Sequence, residues 1–347
     1  MIEESKAPLH AIRRQRQARR RMLIGSLCLL AASARQSVAR ASGVPVKIAL
    51  SSSITHVIGK MAVLMGQEVE RRLPGRVDWQ IFTGGQLGTI SETMLGLMQG
   101  THMLTMNGGW FQSIAPEFGI FDTPFMFKDR SEARQAIAAV QDDLAKVILP
   151  KRIVLIGIGA LGFRQISNNV RPIVTPADLK GIKIRIPGDS NSVETFKSLG
   201  AQPIPMDVDE LYLALREGVV DGQENPIASI WNLHYHEVQR YISLSNHVFS
   251  PIFVGVSTAY WNTWPEDLRL AIRAAARLAC DFSFAEDERS TRTLLQKIET
   301  ANPRLRVNEV DRAAFARLLA PVIARRRAEL APRLVAKVDS ILNSTPR

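Results

Sequence analysis

"GIKIRIPGDSNSVETFKSLGAQPIPMDVDELYLALREGVVDGQENPIASI", residues 181–230, switches repeatedly between two periodicities. Ile182, Ile184 and Ile186 alternate with Lys183 and Arg185, the pattern of a strand buried on one face. Residues 190–199 read as a helix stopped by Gly200, "QPIPM" as a second strand, and Asp209 to Arg216 as a second helix. Asp207, Asp209 and Glu210 fit the start of that helix, where carboxylates cap free N–H groups and meet the positive end of the dipole. The run ends in "GVVDGQENPIASIW" (218–231), a polar knot where a strand hands over to a helix. Strand–helix–strand alternation implies parallel pairing and the α/β class.

The rhythm extends upstream. "PVKIAL" (45–50) reads as a strand, Thr55 to Leu73 as an amphipathic helix, "VDWQIF" and "THMLTM" as strands, and Ser131 to Leu149 as a helix. "VFSPIFVGVS" (248–257) is a further strand, after which the chain is helical from Pro265 to about Thr300 and from Asp311 to Leu342. With 347 residues, 46% of them hydrophobic, the chain can bury two cores.

The net charge of +11 invites a nucleic-acid partner, but it is unevenly placed. Residues 1–41 carry a net +7, leaving +4 for the rest, so the body is nearly neutral and no nucleic acid is implied. The amino terminus has a basic stretch, an apolar run from Met22 to Ala34, and small residues at Ser37 and Ala39. This is the pattern of a signal peptide, residues 1–39, cut after Ala39, and Arg20-Arg21 also allows a twin-arginine signal. The apolar run is shorter than the roughly 20 residues that span a bilayer. Export predicts a periplasmic protein whose single remaining thiol, Cys280, forms no internal disulfide.

Several motifs suggest chemistry that their context does not sustain. "GIGALG" (157–162) fits a dinucleotide fingerprint, but that loop must open a helix, and Phe163-Arg164-Gln165-Ile166 continues as a strand. His234 and His236 are two residues apart and point to opposite sides of a helix, so no shared metal is expected; His247 stands apart. Cys280 falls on an apolar helix face, and "ARRRAELAPR" (324–333) reads as the wet face of a helix. No cofactor is implied.

What remains is a set of polar groups at strand ends. Arg164 closes one apolar strand and Arg185 sits between isoleucines near the end of another. A buried arginine needs an anion. That anion is either an internal carboxylate or a substrate carboxylate, which the guanidinium fork grips with two parallel hydrogen bonds; alternatively Arg185 faces outward. Open α/β sheets bind ligands beyond the carboxyl ends of their strands, where both arginines fall.

These residues, with "GGQLG", the "GFR" at 162–164, "EVQRYISLSNHVFSP" and "WPEDLRLAIRAAARLA", resemble the DctP-type substrate-binding proteins of tripartite ATP-independent periplasmic (TRAP) transporters over roughly residues 45–330. The resemblance implies a two-lobed periplasmic binding protein of the α/β class, with a cleft between the lobes and a long helix spanning both. On that resemblance residues 42–161 would form the first part of lobe I, 162–249 that of lobe II, 250–290 would return to lobe I with the long helix, and 291–347 would pack on lobe II. It also implies capture of a small organic acid by hinge closure, without catalysis, and delivery to a sodium-coupled membrane permease, the only membrane contact. Arg185 matches the arginine that binds the ligand carboxylate, Arg164 a second pocket arginine, and Asn225 an asparagine bonding the same carboxylate. Asp221-Gly222 would then turn the chain, Asn225 aim its amide into the cleft and Pro226 start the next helix. His56, Asn107, Trp110, Phe163 and Val208 are further pocket candidates, and Trp231 is near the cleft or in the core.

Departures from the family bear on the ligand. Val208 stands where sialic-acid binders have Phe, Gly108 where they have an acidic residue, and Asn225 where the α-keto acid branch has Trp. A C4-dicarboxylate or another small carboxylate, such as a hydroxy or sugar acid, is left. Two other readings stand beside the transport receptor: an exported enzyme acting on a small acid, and a binding protein serving a signalling receptor.

Overall fold

The computed structural model describes residues 43–188 and 190–344; the leader expected at 1–39 lies outside them. The chain opens with β1 (Val44–Ala49), α1 (Val57–Arg72), β2 (Val77–Phe82), α2 (Ile90–Gln99), β3 (Leu104–Asn107) and α3 (Trp110–Ile114). Local chemistry sets the ends. Thr89 and Glu92 form a reciprocal capping box at the start of α2, and Gly100 ends it in the left-handed conformation. After a 3-10 segment (Pro116–Asp122), α4 (Arg130–Ile148) starts on the cap of Asp129. The 16-residue strand β4 (Ile153–Asn168) follows, buried almost throughout.

The segment 181–230 supplies β5 (Lys183–Ile186), α5 (Ser190–Ser198), β6 (Gln202–Pro205), α6 (Val208–Arg216), β7 (Gly222–Pro226) and α7 (Ile227–Asn232). Then come β8 (Tyr241–Leu244), β9 (Phe249–Ser257), α8 (Thr258–Trp261), α9 (Glu266–Ala301), β10 (Arg306–Glu309), α10 (Arg312–Glu329) and α11 (Pro332–Ser344). The strands run in the order β2-β1-β3-β9-β4-β7-β5-β6, with β8 on β4 and β10 on β8. The expected parallel pairs are β1/β3, β5/β6 and β5/β7.

β4 belongs to both lobes. From Ile153 to Phe163 it pairs antiparallel with β9; from Arg164 to Asn168 it pairs with β7, so the chain crosses between the lobes at Phe163-Arg164. The sheet of the first lobe is covered by α1 and α9 on one face and by α2, the 3-10 segment and α4 on the other. In the second lobe α5 and α10 pack on one face and α6, α7 and the end of α9 on the other. At 36 residues α9 is about 54 Å long. It carries Ala275 into the first core and Ile298 into the last, and so spans both lobes.

The "GIGALG" glycines serve this crossing. A Cβ at Gly157 would lie 2.8 Å from Cys280 Sγ, and one at Gly159 2.4 Å from Ser283 Oγ, so both let α9 lie close on β4. Gly162 has φ +112°, and its Cβ would come within 2.3 Å of Asp287 Oδ1. That carboxylate is held by Arg130 Nε at 2.6 Å.

Three expectations change. The turn expected at Asp221-Gly222 ends before Gly222: Gly222–Pro226 is a fully buried strand between β4 and β5, and Pro226 is the cap residue before α7, not its first residue. The carboxyl-terminal helices divide. α10 packs on the second lobe through Phe315 and Leu319, whereas α11 sets Leu334 and Val338 against α4 in the first, with Lys337 Nζ 2.6 Å from Asp143. An apolar stripe asks for a partner without naming it. Within the arginine-rich run Arg326 is buried, not wet; it donates to the Asp122 carbonyl at 3.0 Å and Thr195 Oγ1 at 2.9 Å.

Gly162→Ala is expected to cost about 2 kcal/mol or more in urea unfolding, through strain at positive φ and collision with Asp287. Gly188→Ala, where a Cβ meets nothing within 4 Å, should be near neutral.

Candidate functional site

A cavity of about 130 Å³ lies between the lobes where β4 changes sheets. That is well above the roughly 10–15 Å³ needed to admit one water, so the cavity has room for a small organic acid. From the first lobe come Asn107 at the end of β3, Trp110 at the start of α3 and His56 before α1; from the second, Arg185 of β5, Asn225 of β7, Val208 of α6 and Ser229 of α7. Arg164 stands at the crossing.

The two arginines have different surroundings. Arg164 lies opposite Pro226 in the β4/β7 register, which makes Glu224 its diagonal neighbour on the same face. Its Nε and Nη2 grip the Glu224 carboxylate, the latter at 2.7 Å, while Nη2 also donates to the Glu224 carbonyl at 2.6 Å and to Asn225 Oδ1 at 3.2 Å. His247 Nε2 reaches Glu224 Oε2 at 3.2 Å, with Nδ1 2.7 Å from Ser245 Oγ. Burial alone would raise the Glu224 carboxyl; the Arg164 charge and the hydrogen bonds from His247 and Arg164 outweigh it and hold it at about 2. Arg164 therefore carries its own anion.

Arg185 is 4% exposed, and among the described residues no carboxylate lies within 4.0 Å of it. Its Nε and Nη2 donate at 2.9 and 2.6 Å to one acceptor, the Met206 carbonyl at the end of β6. Burial lowers its pKa from the ordinary value, with Tyr235 and Glu224 the leading opposing influences. A guanidinium has five donors, so most of its fork is left for an anion.

Asn225 is fixed between Arg164 and Gln223, whose Oε1 accepts from Asn225 Nδ2 at 2.6 Å. His56 caps α1: Nδ1 accepts from the Ile58 N–H at 3.3 Å, which places the proton on Nε2, 3.5 Å from Ser229 Oγ of the other lobe. Burial, helped by the Lys60 charge, lowers its pKa to about 4, so the ring is neutral at pH 7. Phe163 does not line the cavity; it packs edge-on against Phe249 at 5.2 Å in the first-lobe core. Trp231 lies outside it too, stacked on His236 at 4.7 Å beside a separate crevice along α9. Cys280 is buried in the core, its thiol pushed up to about 12 mainly by burial.

Met206 and Ser229 escape the sequence reading, and Glu224 and His247 have no part in the site it assigns. Alternation in "QEN" sets Glu224 opposite to Gln223 and Asn225, a readable signal once the segment is known to be a strand. The Arg164 partnership depends on the β4/β7 register, which is not local.

The lobes meet on both sides of the cavity. His56 approaches Ser229 on one side; on the other, Asn191 Nδ2 donates to Gln112 Oε1 at 3.1 Å, and Arg326 of α10 reaches the Asp122 carbonyl. A cleft closed over one buried cation that lacks a carboxylate is the arrangement of a two-lobed receptor for small anions.

The chain belongs to the family described as bacterial extracellular solute-binding protein, family 7 (DctP), which it matches over residues 49–329. It is 30% identical over 252 residues, 71% of this chain and 76% of the relative, to the 2,3-diketo-L-gulonate-binding periplasmic protein YiaO of Escherichia coli. Among solved structures it is similar to a TRAP periplasmic solute-binding protein from Polaromonas bound to D-erythronate, with 30% identity, TM-score 0.79, and 85% of this chain and 98% of that one covered. A second, from Sulfurospirillum deleyianum with bound succinate, gives 28%, 0.82, 86% and 99%. No helix of the described residues is long and apolar enough to cross a membrane.

Arg164→Met should destabilise the protein by about 3 to 5 kcal/mol, because it strands the Glu224 charge in the interior. Arg185→Met, which removes a buried cation held only by a carbonyl, should leave the melting temperature unchanged or raise it. His56 is neutral when folded but binds a proton below about pH 6.5 when unfolded. The unfolded state therefore holds more protons, and its contribution, up to about 3 kcal/mol, is present above pH 6.5 and lost as pH falls toward about 4. Denaturant melts between pH 7 and 4 should be flatter in His56→Gln.

Proposed function

We propose that this chain is a periplasmic receptor that captures a small organic acid, seats its carboxylate on Arg185, and delivers it unchanged to the membrane subunits of a TRAP transporter. The observation that carries the reading is Arg185 itself: a buried guanidinium in the wall of an interlobe cavity, bonded to a carbonyl, with no carboxylate of the described residues in reach. Asn225, Asn107, His56, Trp110 and Val208 are proposed to complete the site, with Arg164 braced on Glu224 as its rigid back wall rather than a second free cation. An incoming carboxylate forms charge-assisted hydrogen bonds worth about 1.5 to 3 kcal/mol each, and the contacts at Ser229, Gln112 and Asp122 then hold the lobes together. Membership in a family of solute-binding receptors supports binding without turnover.

Thermal unfolding of the purified protein against a panel of small mono- and dicarboxylates tests this. An acid at about a hundred times its dissociation constant should add about 2.7 kcal/mol to stability, and mass spectrometry should recover it unaltered. Arg185→Ala should weaken binding by about two orders of magnitude or more, and Arg185→Lys, which lacks the fork, should also bind poorly. Near-native affinity in Arg185→Ala would rule the reading out.

A further inference from the structure

We propose that the cavity is built for a hydroxylated monocarboxylate of the aldonic acid type, with the Asn107 side-chain carbonyl accepting a hydrogen bond from a ligand hydroxyl, and that it discriminates against dicarboxylates. This rests on the reading of Arg185 as the carboxylate seat.

Asn107 ends β3, lines the cavity and is 3% exposed. Its Nδ2 donates to Met94 Sδ at 3.1 Å. A thioether sulfur can only accept, so the reverse orientation of the amide would set two acceptors face to face; Met94 thus fixes which atom is which. The other atom, Oδ1, is buried with no hydrogen-bond partner among the described residues. A buried acceptor left without a donor is costly. In a cavity wall it is a place prepared for a ligand donor.

The charges of the wall point the same way. Its cationic side chains are Arg164, committed to Glu224, and Arg185, which a first carboxylate takes. His56 is neutral, and the acidic members of the wall are Asp207 and Asp209. A second carboxylate can only accept, so it would meet the Asn107 acceptor and two aspartates, with no unpaired cation among the described residues left for it and only neutral donors, the His56 Nε2–H and the Trp110 N–H, which serve a hydroxyl oxygen as well. Hydroxyls can donate to all three. The wall serines donate or accept and do not discriminate. A single available cation, an orphaned acceptor and an acidic rim together suit a ligand charged at one end and hydroxylated along the rest.

Calorimetric titration with D-erythronate, D-threonate and the hexonates, alongside succinate and n-butyrate, tests the assignment. At least one aldonate should bind about a hundredfold or more tightly than succinate. Asn107→Leu, similar in volume but without the acceptor, should weaken that aldonate by about ten- to a hundredfold relative to n-butyrate. Should the leucine variant fail to fold, by circular dichroism, Asn107→Gly serves in its place. Succinate binding as tightly as every aldonate would overturn the assignment, as would an equal loss for aldonate and n-butyrate in the variant. If none of these acids binds, the Arg185 reading itself falls, an outcome distinct from the other two because the unhydroxylated acids fail as well.

Discussion

The ion pair between Arg164 and Glu224 is the interaction on which the rest of the site depends. Both groups are buried where β4 leaves one sheet for the other, and neither charge is tolerable there alone. Once paired, they neutralise each other and pin β4 to β7, and Arg164 holds Asn225 in place at the cavity wall. The consequence falls on Arg185, one strand over. With Glu224 engaged by Arg164, its guanidinium rests on a backbone carbonyl and keeps donors for an anion from outside. Stability and recognition are thereby assigned to different arginines.

The same crossing explains how the lobes share one frame. β4 and α9 both run from the first lobe into the second, and they pack closely because glycines 157 and 159 present no side chain to the helix. Gly162, at the bend, admits the Asp287 carboxylate that Arg130 fixes from α4. The joint is closely packed at the glycines, while the cavity beyond it is bounded by polar contacts at Ser229, Gln112 and Asp122. Such contacts, polar and few, suit a closure that must also reopen.

Much of this was legible in the sequence, for reasons that are local. Isoleucine alternation around Arg185 marked β5 and put the arginine near its end without settling which way it faces, and the interrupted fingerprint at 157–162 read correctly as strand because no helix follows it. The resemblance drew His56, Asn107, Trp110, Val208 and Asn225 together before any contact was known, and all of them line the cavity. What failed was non-local. Phe163 alternates onto the core face of β4, a side that the bulges at Ile156 and Leu161 determine. Gly222, expected in a turn, opens a central strand carried by its neighbours, and α11 chose the first lobe although its stripe would suit either. Glu224 could not be matched to Arg164 without the register of two strands about 60 residues apart.

The central claim is the division of labour between the two arginines, and a crystal structure of the complex with whichever acid gives the largest thermal shift tests it most directly. The account predicts the ligand carboxylate in a two-point hydrogen bond with Arg185, with Arg164 still on Glu224. A carboxylate seated on Arg164 with Glu224 displaced, or one reaching neither arginine, would contradict it.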